Sequence, residues 1–152
     1  MEFKTKTEMF MDTLDVEDVI AQLLVTEGYV SVDSIVNENS TNLEKIEGFD
    51  KELAKEIILR ANNYIKYQEK EDQKIIDEKI HDEELKKLNG MNNKMLAQLA
   101  KKNIVTLNDF ADLASFELID KEEGIFKNLD IEEEIINNMI MQAREKWFIH
   151  NN

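Results

Sequence analysis

Apolar residues recur along this chain at helical spacing. Val16, Val19, Ile20, Leu23 and Leu24 form one stripe, and Leu53, Ala54, Ile57, Ile58, Ala61 and Tyr64–Ile65 form a second. Met91, Met95, Leu96 and Leu99 follow, and then Ile135, Ile136, Met139, Ile140, Ala143 and Trp147. Steps of three and four put such residues on one face of an α-helix. Each stripe therefore predicts an amphipathic helix with that face in a core.

The links between stripes repeat. Residues 23–35 align with 98–110 without a gap, at an offset of 75. Leu24 meets Leu99, Gly28 meets Asn103, Val30-Ser31 meets Val105-Thr106, and Ile35 meets Phe110. Glycine and asparagine best tolerate the positive φ at which many helices stop. Ser31 and Thr106 are N-cap types, and Asp109 stands at the third position of the helix that Thr106 would cap. Each copy thus predicts a helix, a left-handed stop, a short link and a capped helix. Asp50 is the expected cap of the helix carrying the Leu53 stripe.

The expected fold is all-α, with two small helical-bundle units of about four or five helices each. The boundaries read as 1–9 residual upstream linker, 10–65 first unit, 66–84 charged linker or helix extension, and 85–150 second unit. Composition agrees. There is no proline and there are only four glycines among 152 residues, a poor supply for the turns of an all-β chain. Apolar types make up 42 %, enough for a packed core.

Charge and residue chemistry narrow the function. The net charge is −14, which repels phosphates at long range, argues against direct nucleic-acid binding and favours a partner with a basic patch. Without cysteine there is no thiolate nucleophile and no Cys-based metal site. His81 and His150 lie too far apart for a local ligand pair and read as solvated. No serine has a nearby histidine, and no EF-hand spacing occurs, so neither an enzyme nor a cofactor or metal is expected. No apolar run suits a membrane span, and residues 1–10 lack the apolar stretch of a signal peptide. A monomer in the cytoplasm is expected.

Leu43-Glu44-Lys45-Ile46-Glu47-Gly48-Phe49-Asp50 places an apolar–x–Gly–apolar link between two helical patterns, and Leu85-Lys86-Lys87-Leu88-Asn89-Gly90-Met91 opens the second unit alike. Both resemble the helix-hairpin-helix element, with Gly48 and Gly90 as hairpin turns. The order Leu14-Asp15-Val16-Glu17-Asp18, Leu24, Glu27-Gly28-Tyr29, Leu43 to Asp50 and Arg60-Ala61 further resembles an acidic repeat of the bacterial transcription factor NusA. Leu88-Asn89-Gly90-Met91, Leu96-Ala97, Asn103 to Ala111, Ala143-Arg144 and Trp147-Phe148 resemble the second such repeat.

The resemblance implies a protein-interaction module that helps regulate pausing, termination and antitermination. It implies that the second repeat contacts the C-terminal domain of the RNA polymerase α subunit. It also implies masking of the upstream RNA-binding domains of the same protein, and docking of other elongation or antitermination proteins.

The residues bear on that role. Glu44, Glu47 and Asp50 surround the first hairpin and would repel a phosphate. The second unit is dipolar: residues 86–102 hold Lys86, Lys87, Lys94, Lys101 and Lys102 without an acid, and residues 109–134 hold ten acids. Asp109, Asp112, Glu122, Glu123, Asp130, Glu132, Glu133 and Glu134, with Phe148, are the candidate partner-binding residues. Trp147 continues a stripe and reads as core. A second reading uses Lys86, Lys87 and Lys94 around Gly90 as a nucleic-acid contact. Aligning Ala61 with Ala143 puts Asp130 where Gly48 stands, while Glu123-Gly124-Ile125 looks like the missing hairpin but comes too early. Either the link is longer there or the hairpin is rebuilt.

Overall fold

The computed structural model describes residues 2–150, less the side chains of Glu2, Lys146, Ile149 and His150. The reading of His150 therefore falls outside the described side chains, whereas His81 is exposed. Among the described residues there is no strand. The helices are α1 (Glu2–Leu14), α2 (Asp18–Thr26), α3 (Val32–Val36), α4 (Ser40–Glu44), α5 (Lys51–Lys79), α6 (Glu83–Lys86), α7 (Asn93–Lys101), α8 (Leu107–Ala111), α9 (Ser115–Ile119) and α10 (Glu133–His150). The chain divides into one compact unit ending at Gln68 and a second beginning at Glu69.

Each unit has its own core. In the first, Phe10, Leu14, Ala21, Leu24, Ile35, Leu43, Ile57 and Ala61 are fully buried. In the second, Ile80, Leu85, Leu99, Phe110, Leu118 and Ile136 are, with Phe126 and Met139 nearly so. Residues 2–9, expected as a linker, are helical, and Thr7 is buried. Residues 66–79, expected as charged linker or helix extension, continue α5, and Ile76 and Ile80 are buried in the second core.

Two stripe residues depart from expectation. Val19 is 63 % exposed and Ile135 44 % exposed. Successive helical residues are about 100° apart, so a core accepts a limited arc. Ala21 and Leu24 occupy that arc in α2, and Ile136 takes the inward position beside Ile135.

The internal repeat extends further than one helix pair. The non-glycine residues with positive φ are Asp15 (53°), Asn103 (61°) and Asp130 (51°), and the glycines are Gly28 (98°), Gly48 (92°) and Gly90 (96°). They pair off between the units: Asp15 with Gly90 and Gly28 with Asn103 at an offset of 75, and Gly48 with Asp130 at 82. Gly28 and Asn103 end α2 and α7 as Schellman stops. Gly28 N–H donates to Val25 O and Tyr29 N–H to Leu24 O, while Asn103 N–H donates to Ala100 O and Ile104 N–H to Leu99 O. Ser31 and Thr106 then cap α3 and α8, and the Asp109 carboxylate accepts from Thr106 N–H in a capping box. Helices α4 and α9 also correspond at an offset of 75.

The change of offset locates a seven-residue insertion in the second unit between α9 and Asp130. It folds back on α9: Ile125 N–H donates to Glu117 O at 3.0 Å and Phe126 N–H to Leu118 O at 2.7 Å. Phe126 anchors it in the core at 2 % exposure. Gly124 is required by space, since a Cβ there would lie 2.5 Å from Asp120 O and 2.6 Å from Leu118 O. Both alternatives left open by the alignment therefore hold in part. The link is longer, and the hairpin turn itself is rebuilt on Asp130, while Glu123-Gly124-Ile125 belongs to the insertion.

Side chains also close several helix ends from a distance in sequence. Arg60 Nη1 donates to Leu14 O and Asp15 O at 3.1 and 2.7 Å. Arg144 donates from Nε to Ala111 O at 2.8 Å and from Nη2 to Leu113 O at 3.1 Å. The Asp82 carboxylate accepts from Glu84 N–H through Oδ1 and from Leu107 N–H through Oδ2.

Candidate functional site

Four turns in the two units share one construction: a left-handed residue, an apolar residue, an N-cap and a helix. They are Asp15-Val16-Glu17 before α2, Gly48-Phe49-Asp50 before α5, Gly90-Met91-Asn92 before α7, and Asp130-Ile131-Glu132 before α10. The second residue seats on a core: Phe49 is 7 % exposed, and Val16, Met91 and Ile131 pack against their clusters. A helix start of this kind directs backbone N–H groups outward, which suits an anion.

Acidic residues hold three of the four cap positions, although the Glu17 side chain makes no cap hydrogen bond. Glu17, Asp50 and Glu132 occupy the cap positions, and Asp50 Oδ1 accepts from Leu53 N–H at 2.7 Å. The Gly90 turn has the neutral cap Asn92, whose Oδ1 accepts from Met95 N–H at 2.9 Å. Lys87 and Lys94 are exposed there, and Lys86 is half-buried with its Nζ 3.6 Å from Glu83. Yet the groove at this helix start is also lined by Glu69 and Asp72 of α5. Burial raises the Asp72 pKa, against the lowering pull of Lys101 and Lys94. All four turns thus have acidic groups at hand.

The acidic candidates spread along the second unit. Asp112, Glu122, Glu123, Asp130, Glu132, Glu133 and Glu134 are all exposed. Asp109 is exposed too, but its carboxylate is engaged in the α8 capping box, with Val105 and Thr106 N–H as donors. Phe148 is 69 % exposed. Trp147 packs against the core as expected, donates from Nε1 to Asn108 Oδ1, and lies under the Arg144 guanidinium, 5.9 Å from the ring centroid.

Sequence reasoning does not single out Phe116, which is 67 % exposed on α9. A signal for it exists in the repeat, because the corresponding residue of the first unit is the polar Thr41. Among the described residues, no group of three His, Asp or Glu side chains is arranged to hold a metal ion. No helix among them is long and apolar enough to cross a membrane.

Comparison with known proteins agrees with this geometry. Residues 13–63 match the family described as "SAM-like Helix-hairpin-helix tandem". The chain is similar to the transcription termination/antitermination protein NusA of Rickettsia conorii, 33 % identical over 144 residues, covering 95 % of this chain and 28 % of that protein. It is likewise similar to NusA of Rickettsia prowazekii, 34 % identical over 143 residues, covering 94 % and 28 %. The chain thus spans somewhat over a quarter of the length of these relatives, in their carboxyl-terminal part.

Proposed function

The chain belongs to the helix-hairpin-helix repeats of the carboxyl-terminal part of NusA, and on that premise we propose that it is a non-catalytic protein-docking module of the bacterial transcription machinery. In this reading its second unit binds the C-terminal domain of the RNA polymerase α subunit. Its first unit receives other elongation or antitermination factors, and the pair regulates access to RNA-binding domains of the same protein. The work is done in the cytoplasm, as a monomer. The resemblance to NusA supplies these partners.

One observation supports protein rather than nucleic acid as the ligand. Every hairpin helix start has a carboxylate at its cap or in the adjoining groove, including Glu17, Asp50, Asp72 and Glu132. Acidic side chains lie at or beside these positive helix ends, and a phosphate would meet like charge at short range. The carboxylates of the second unit, Asp112, Glu122, Glu123, Asp130 and Glu132 to Glu134, would steer a basic partner, and Phe148 would add apolar contact.

The second reading, nucleic-acid contact through Lys86, Lys87 and Lys94, draws on the first turn of α7, which holds Lys94 and no acid. A residue-resolved NMR titration separates the two. The labelled chain is mixed with the isolated polymerase α domain, and separately with single-stranded RNA. Shifts within 85–148 on adding the α domain, weakened by salt and by Glu132→Lys, are expected. Shifts around Gly90 and Lys94 with RNA alone would replace this reading with the second.

A further inference from the structure

The second unit carries a groove built from features that the first lacks. Leu113, Phe116 and Ile125 give it an apolar floor, and Glu117, Asp120, Glu123 and Lys102 form its rim. Two departures from the internal repeat create it. Phe116 replaces the equivalent of Thr41, and the longer link after α9 supplies the wall that holds Asp120, Glu123 and Ile125.

Neither departure is needed to fold a unit of this kind. The first unit closes its core with the exposed, polar Thr41 at that position and without the insertion. A phenyl ring left 67 % exposed gives up much of the benefit of burying an aromatic side chain. The wall is also well fixed: Gly124 allows its backbone to pass within contact distance of Asp120, and Phe126 pins its far end in the core.

Charge specifies the occupant. Glu117 and Asp120 use one oxygen each on local backbone N–H groups, from Ala114 and from Glu122 with Glu123. None of Glu117, Asp120, Glu122 and Glu123 makes an ion pair among the described residues. Phosphate backbones are repelled here, and a second copy would bring another net charge of −14.

We infer that this groove docks a basic protein segment bearing an apolar side chain, which seats on Phe116 while its flanking lysines or arginines meet Glu117, Asp120 and Glu123. The inference rests on the reading of the chain as a protein-docking module and adds the place and the chemistry of the contact. Affinity comes from the apolar anchor, and the carboxylates set orientation and association rate.

The test uses the labelled full chain and a short synthetic peptide of lysine and leucine, with a counterpart in which every leucine is alanine. Shifts concentrated at residues 113–126 are expected, with about tenfold weaker binding for the alanine peptide and for Phe116→Ala. Glu123→Lys should weaken binding, and more so at low salt. Phe116→Ala must keep the wild-type unfolding midpoint, since its ring is exposed. Shifts spread evenly over all acidic stretches, or no change with Phe116→Ala, overturn the inference. Self-association abolished by Phe116→Ala overturns it in favour of a second copy. If the polymerase α domain binds but ignores Phe116→Ala, the groove assignment alone fails. If the peptide binds as expected and the α domain does not bind, the polymerase reading alone fails.

Discussion

Replacing Gly90 with alanine separates two costs that meet at one turn. Gly90 has φ 96°, where an L side chain costs roughly 1–2 kcal/mol through its clash with the backbone. A Cβ at Gly90 would also lie 3.2 Å from Met139 Sδ and 3.3 Å from Met139 Cγ. Met139 is 1 % exposed in the core of the second unit, so its side chain cannot swing into solvent. Forcing a methyl group into a packed core costs about 1–3 kcal/mol, which brings Gly90→Ala to roughly 2–5 kcal/mol. Gly48 has φ 92°, and a Cβ added there would meet no atom within 4 Å, so Gly48→Ala should lose only the first contribution. Urea unfolding followed by Trp147 fluorescence reads the second unit, because Trp147 packs on its core. A double-mutant cycle with Met139→Ala isolates the contact. A loss under about 1 kcal/mol, or the same loss with and without Met139, refutes the account of this turn.

Asp130→Gly should raise stability in the same urea assay by up to about 1 kcal/mol, because φ 51° is strained for aspartate, and Asp130→Val should lower it by more. Arg144→Ala should cost about 1–3 kcal/mol by leaving the carbonyls of Ala111 and Leu113 unpaired, and Arg144→Lys should not restore it, since one ammonium cannot span both. Burial and the hydrogen bond to Glu38 push the Tyr29 pKa up to about 12. The folded state therefore holds this proton more tightly than the unfolded chain, and stability is lost as pH rises from about 10 toward 12. Ultraviolet titration should show one late phenolate that disappears in Tyr29→Phe.

Local rules made much of the fold legible. Gly28 and Asn103 stop their helices, Ser31, Thr106 and Asp50 cap theirs, and the hairpin glycines turn where the motif requires, because each depends on a few neighbouring residues. The resemblance to NusA was legible for the same reason, through the order of these short signals. Val19 and Ile135 escaped because periodicity does not say which of two adjacent apolar residues a core will accept. Arg60, Arg144 and Asp82 act across 25 to 46 residues of chain, where spacing carries no information. Asp130 could be aligned with Gly48, but an aspartate takes up the left-handed turn there because Ile131 and Leu129 on either side of it are held against the core. Phe116 was hidden by its short helix, and only comparison with Thr41 exposes it.

The two oxygens of Asp82 hold amide protons at Glu84 and Leu107, far apart in sequence. Both protons are therefore shielded from deuterium exchange by a single side chain, and release of that carboxylate opens both together. Hydrogen exchange at Glu84 and Leu107 is therefore expected to rise together in Asp82→Ala. Two helices of four and five residues, each too short to resist fraying alone, share one latch.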